Sequence, residues 1–160
     1  MTIYTIGYEG IDIDTFLSLL RKHDIETVVD VRELPLSRKP GFSKKTLADT
    51  LNLSGLEYVH QSDLGCPKLI RDRYRADGNW TRYREGFLKY LNTQDEALAD
   101  LATLAATSTC ALLCFEADHN FCHRSMVADA VKRVRRARIT HIRVADVKTA
   151  SPEDFRLAVA

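Results

Sequence analysis

The sequence predicts a single-domain, three-layer α/β fold (Rossmann-like) with a mostly parallel sheet of about five strands. Three observations carry this. Short β-branched runs alternate with stretches of helical period along the chain. Two runs, at residues 26–32 and 110–116, are nearly continuous in apolar residues, as parallel strands covered on both faces are. The length of 160 residues suffices for one domain with a real core.

In order, Ile3-Tyr-Thr-Ile-Gly7 reads as a short strand that stops at a glycine. Asp12 is placed to cap a helix whose Ile13, Phe16, Leu17 and Leu20 share one face. Glu26 to Arg32 is the second strand, followed by breaks at Pro35 and Pro40-Gly41. Ser43 opens a helix to about Leu53, and Leu56 to His60 is the third strand. The segment 62–92 interrupts the rhythm and shows no clear period before a helix near Thr81 to Leu91. Between Cys66 and Arg84 it carries six basic residues against Asp72 and Asp77, with Tyr74, Trp80 and Tyr83 interleaved. A long basic insertion of this kind reads as a lid or binding loop, or as a solvated excursion whose aromatics pack on the sheet. Asp95 is expected to cap the next helix, with Leu98, Leu101, Leu104 and Ala105 inward.

The most reactive stretch comes next. Cys110 to Glu116 reads as a buried strand and Ala117 to Phe121 as a polar turn. A helix then begins with Cys122, His123 and Arg124 in its first turn and presents Val127, Ala130, Val131 and Val134 on one face. Ile139 to Val144 closes the sheet, and Pro152 opens a short terminal helix.

Composition narrows the function classes. The net charge of +1 singles out neither nucleic acid nor membrane as a partner. No run of 18 apolar residues exists and Met1 leads straight into a strand, so neither a signal peptide nor a membrane span is expected. Cys66, Cys110, Cys114 and Cys122 read as reduced thiols of a cytoplasmic protein rather than a disulfide framework.

Open parallel sheets bind ligands at the carboxyl ends of their strands. Those ends carry Tyr8 and Glu9, Asp30 and Arg32, His60, and Glu116, and the helix opening at Cys122 lies at the same edge. Topology therefore predicts that Asp30, Arg32, His60, Glu116 and Arg124 line one cleft. Taken singly each has a plain structural role open to it, for instance Arg32 as a partner of Glu116 or His60 as a core histidine.

Four stretches in order resemble a known family: Thr5-Ile-Gly-Tyr8; Val29-Asp-Val-Arg32 with Ser37-Arg38 and Phe42-Ser43; Tyr58-Val-His60 with Leu64-Gly65; and Leu113-Cys-Phe-Glu116 with Cys122-His-Arg124. Together they resemble the family catalogued as domain of unknown function 488, over about residues 3 to 143. The Asp-Val-Arg and Cys-His-Arg elements are its most specific marks. The family's opening resembles Ile-Gly-His-Ser, whereas this chain has Ile6-Gly-Tyr-Glu9, so no imidazole is carried over to position 8. The resemblance implies an α/β fold with polar strand ends and no particular reaction. A more distant branch lacks the cysteines, which argues against one thiol chemistry shared by all members.

Three chemistries suit these residues. Cys122 near a helix N-terminus, flanked by His123 and Arg124, is placed for a lowered pKa and a nucleophilic role. The arginine six positions after the cysteine that a thiol phosphatase loop needs is absent, because position 128 is alanine. Cys114, His119, Cys122 and His123 offer zinc ligands, but the spacing matches no common finger, and neighbouring Cys122 and His123 are expected not to share an ion. No metal is therefore expected, and the cofactor is left open. Third, Arg32, Arg38 and Arg124 can hold a phosphate, with basic-segment aromatics stacking a base and Asp30 or Glu116 serving as acid or base. The arginines at 133, 135, 136 and 138 read as nucleic-acid contacts or as ordinary partners of a helix C-terminus.

The reading that results is an enzyme or ligand-binding domain for an anionic, phosphate- or nucleotide-like ligand. Asp30, Glu116 and Cys122 are the candidate catalytic residues. Tyr8, Arg32, Arg38, His60, His123 and Arg124 are the candidate ligand-binding residues. The alternative is a nucleic-acid-binding module without catalysis.

Overall fold

A computed structural model describes residues 1–146, so the helix expected at Pro152 lies outside the described residues. Five strands form one sheet: β1 (Thr2–Gly7), β2 (Thr27–Asp30), β3 (Glu57–His60), β4 (Cys110–Cys114) and β5 (Arg138–His141). All pairings are parallel, in the order β3-β2-β4-β1-β5. Six α-helices accompany them: α1 (Ile13–Lys22), α2 (Lys44–Leu53), α3 (Lys68–Asp77), α4 (Trp80–Leu91), α5 (Asp95–Thr107) and α6 (His123–Val134). This is the three-layer Rossmann-like architecture that the sequence predicts.

Alternation along the strands divides the core in two. Ile3, Val29, Cys110 and Leu112 face α4, α5 and α6, packing with Phe87, Leu101, Val127 and Val131. Ile6, Val28, Ala111 and Leu113 face α1 and α2, packing with Phe16, Leu20, Leu47 and Leu51. Each strand of the centre is thus apolar on both sides, which is why β2 and β4 read as nearly unbroken apolar runs.

The strand order locates the site. From β1 the chain leaves by α1 on one face and passes beyond β4 to β2. From β4 it leaves by α6 on the other face and passes beyond β1 to β5. Neighbouring strands β1 and β4 therefore send their connections in opposite directions, which opens a crevice beyond their carboxyl ends. Gly7 permits the two ends to close up: a Cβ there would lie 1.8 Å from the Glu116 carbonyl oxygen.

Some local expectations need correction. Asp12 caps α1 as expected, its carboxylate accepting from the Thr15 N–H at 2.8 Å. Asp95 is not a cap; it sits in the first turn of α5 behind Gln94, where its charge complements the helix dipole. Ser43 precedes α2, but its hydroxyl bonds the Ser37 backbone in both directions instead of a first-turn amide. The basic segment is not irregular, since most of it is helical. α3 escaped sequence reading because none of its ten residues is fully buried, so it has no continuous apolar stripe. Only Ile70 and Tyr74 of α3 pack against the core. Gly78, at φ 63°, ends the helix in the left-handed region that glycine tolerates. Among the described residues no helix is long and apolar enough to cross a membrane.

Candidate functional site

A cavity of about 460 Å³ lies beyond the ends of β1, β2 and β4, with α3 along its side. Tyr8 follows β1, and Arg32, Glu33, Ser37 and Arg38 come from the loop after β2. Cys114, Phe115 and Glu116 come from the end of β4, and Phe121 and His123 from the turn into α6. Arg71, Tyr74 and Arg75 of α3, with Tyr83 of α4 and Cys66 before α3, complete the wall. Of the sequence-predicted residues, Tyr8, Arg32, Arg38, Glu116 and His123 are brought together here. Asp30, His60, Cys122 and Arg124 are not among the lining residues.

Each absence has a physical reason. Asp30 is completely buried, and its carboxylate accepts from Arg32 Nε at 2.8 Å, Arg32 Nη2 at 2.7 Å and the Tyr58 hydroxyl at 2.6 Å. It also accepts from the Arg32 backbone N–H, so its oxygens are spent inside the protein. His60 donates from Nε2 to the Arg32 carbonyl at 2.8 Å and so braces the same loop. Arg124 is completely buried. Its Nε donates to Thr5 Oγ1, Nη1 to the Glu116 carbonyl and Nη2 to the Ala117 carbonyl. Its guanidinium ties the turn after β4 to β1 rather than reaching a ligand. Cys122 lies behind the cleft wall, 1% exposed, beside Cys114 and His123.

Arg32 lines the cleft but is largely committed as well. Besides Asp30, it donates through Nη1 to the Tyr8 hydroxyl at 3.1 Å and to the Phe42 carbonyl at 2.7 Å. Arg71 donates to Glu33 at 3.1 Å. Cancelling these two ion pairs leaves Arg38 and Arg75 against Glu116. Arg38 is exposed and makes no hydrogen bond or ion pair among the described residues. Arg75 only approaches Asp72, at 3.8 Å. The Nε–H of Arg71 is buried and has no acceptor among the described residues, and such a donor costs about 1–3 kcal/mol if left unsatisfied.

The cleft floor is a group of thiols, an imidazole and a carboxyl. Alternation places Cys114 on the same face as Cys110 and Leu112, toward α6. There its Sγ lies 3.6 Å from His123 Nδ1 and 3.4 Å from Glu116 Oε2. Cys122, at φ −140° and ψ 139°, is extended, whereas His123 is the first helical residue of α6. This change of backbone direction lets two adjacent side chains turn to one point, contrary to the expectation that Cys122 and His123 could not share an ion. Ligand atoms of Cys114, Cys122 and His123 lie within 4.8 Å of one another. His119, the other ligand type weighed from sequence, instead stacks on His141 at 3.7 Å.

Burial and mutual contact set the protonation states here. Burial opposes ionisation of Cys122, but the hydrogen bond from Cys114 and then the His123 imidazole hold its thiol below the ordinary range. Cys114 is raised in turn, first by that bond to Cys122 and then by burial. Burial, followed by the negative charge on Cys122, pushes Glu116 up to about 7.

Several lining residues gave no signal in the sequence. Glu33, Leu34, Leu36 and Cys66 sit in loops without periodicity and meet only because the loops after β2 and β3 close on each other. That approach depends on Gly65, where a Cβ would stand 2.2 Å from the Glu33 nitrogen.

The family model described as Domain of unknown function DUF488 matches residues 12–131. No curated protein and no solved structure matches the chain significantly.

Proposed function

The chain belongs to the DUF488 family, a domain of unknown function, and on the geometry of its strand-end cleft we propose that it binds an anionic, nucleotide-like ligand. The observation that carries this reading is the exposed guanidinium of Arg38, unpaired among the described residues, beside that of Arg75 held only at 3.8 Å by Asp72, at an aromatic cleft of about 460 Å³. A guanidinium is shaped for bidentate contact with phosphate oxygens. Arg71, partly exposed and paired with Glu33, adds a third guanidinium to the same wall.

The walls favour a ligand with a flat or apolar part as well as a charge. Leu34, Leu36, Phe115 and Phe121 line the cleft and are each 43–67% exposed. Large apolar side chains exposed together around one cavity fit a binding mouth better than a bare surface. A heterocyclic base resting on Phe115 or Phe121 gains stacking worth about 1–3 kcal/mol. Glu116 is the carboxyl that lines the cleft and is placed to exchange a proton with a bound ligand.

Binding is measurable through Trp80, the single tryptophan, whose ring contacts Phe121 at 5.5 Å and Tyr83 at 4.9 Å. Titrating nucleoside mono-, di- and triphosphates should change its fluorescence saturably. Arg38→Ala should weaken the response roughly tenfold, as loss of a charged hydrogen bond implies. Raising salt should weaken it only modestly. A steep loss of affinity with salt, and equal response to any oligonucleotide, would instead mark a nucleic-acid surface contacting many phosphates. No saturable response to any phosphate-bearing ligand would remove the reading.

A further inference from the structure

We propose that Cys114, Cys122 and His123 form a site for one zinc-class divalent ion at the cleft floor, with its fourth position beside Glu116. This goes beyond the anion-binding reading and reverses the expectation, drawn from spacing alone, that no metal is held.

Four observations meet at this point. The first is distance. Tetrahedral zinc, with Zn–S about 2.3 Å and Zn–N about 2.0–2.1 Å, separates a sulfur from a nitrogen ligand by about 3.6 Å. Cys114 Sγ and His123 Nδ1 are 3.6 Å apart. The second is orientation. His123 Nε2 lies 2.6 Å from the Val31 carbonyl, which can only accept, so Nε2 carries a proton and Nδ1 faces the thiols. A ligating imidazole whose other nitrogen donates to a backbone carbonyl is the usual supporting arrangement around protein-bound metals.

The third is burial. Cys114, Cys122 and His123 are 6%, 1% and 4% exposed. Two thiolates and a neutral imidazole around a dication sum to zero charge, which suits a dry position better than one unpaired thiolate does. The fourth is the donor set. Two sulfurs and one nitrogen select zinc or a soft transition ion over magnesium or calcium, which prefer oxygen. Three protein ligands leave one position open, as in catalytic rather than structural zinc sites. Glu116 borders the ligand set, its Oε2 3.4 Å from Cys114 Sγ, and it also lines the cleft, from which the fourth ligand would enter.

The test uses the full chain purified without added metal and without a polyhistidine tag. Elemental analysis should find about one zinc per chain. After chelation, one equivalent of Co²⁺ should give intense thiolate-to-cobalt charge-transfer absorption and the visible bands of tetrahedral cobalt. Cys114→Ser and Cys122→Ser should each greatly reduce the charge-transfer band while circular dichroism stays unchanged. Cys110→Ala, in the core of β4, should leave it intact. Arg38→Ala should weaken the nucleotide response and leave metal stoichiometry alone, so the two proposals can fail separately. Wild-type protein that contains no zinc and gives no charge-transfer band with Co²⁺ overturns the site. So does a band that persists in both serine variants. Because wild type alone can fail, the outcome does not depend on any variant folding.

Discussion

Asp30 and Arg32, two residues apart at the end of β2, form a bidentate ion pair sealed inside the protein. The two bonds are 2.8 Å and 2.7 Å, and the side chains are 0% and 7% exposed. Removing one partner of such a pair strands the other charge and typically costs about 3–5 kcal/mol. Asp30→Ala should therefore lower unfolding stability by roughly that amount in urea. A loss below about 1 kcal/mol would mean that the pair is screened by solvent and that Asp30 is free to meet a ligand.

Arg124→Ala should also unfold the protein more readily rather than act on ligand binding alone. Its guanidinium serves Thr5 and the carbonyls of Glu116 and Ala117. Hydrogen bonds to a charged group are worth about 1.5–3 kcal/mol each, and a buried carbonyl left unpaired adds its own cost. Thermal unfolding should shift down clearly. An unchanged melting temperature, together with loss of phosphate-dependent stabilisation, would restore Arg124 to the cleft.

Gly7→Ala should damage both stability and site. The added methyl would stand 1.8 Å from the Glu116 carbonyl oxygen and 2.6 Å from its carbon, both backbone atoms that cannot swing aside. Relief requires β1 and the turn after β4 to separate, at a cost of about 1–3 kcal/mol as in other overpacked sites. Because that turn carries Glu116, nucleotide-induced Trp80 fluorescence should weaken as well. Wild-type stability in Gly7→Ala would show that the two strand ends do not approach so closely.

Acid sensitivity should depend on His141. Its pKa is lowered to about 4, first by burial and then by His119 and Arg124 nearby. Thr5 Oγ1 is 2.7 Å from its Nδ1. The unfolded chain, with an ordinary value near 6.5, therefore binds more protons than the folded one between about pH 4 and 6.5. Stability from this group is full above pH 6.5, falls as pH drops through that window, and levels off below about 4. His141→Gln should flatten this part of the stability profile relative to wild type. Parallel profiles for the two proteins would show that His141 titrates normally.

The layered fold was legible because alternation and helical period are local signals. β2 and β4 declared themselves through Val28, Val29, Leu112 and Leu113, each buried against a helix layer. The cleft's position followed from strand ends alone. The roles of its residues did not, because they depend on which partner each side chain meets. Asp30 and Arg32 looked like two ligand-facing groups, yet they neutralise each other. Arg124 looked like a phosphate fork, yet it bonds carbonyls of the turn just before it. Cys122 and His123 looked unable to cooperate, because adjacency implies divergence only when the backbone keeps one conformation. Arg71 and Arg75 were visible as charges, but their place at the cleft depended on α3, whose lack of buried residues hid it.

An anion held at the proposed position at the mouth of this cleft would show itself in an NMR titration that resolves arginine Nε–H resonances. Adding a nucleoside diphosphate should shift Arg38, Arg71 and Arg75 first, together with the backbone amides of Phe115 and Phe121, all on one saturation curve. Arg32 should move less, since Asp30, Tyr8 and Phe42 already occupy its donors. Shifts confined to Arg133, Arg135 and Arg136 at the end of α6, with the cleft arginines unmoved, would contradict the account.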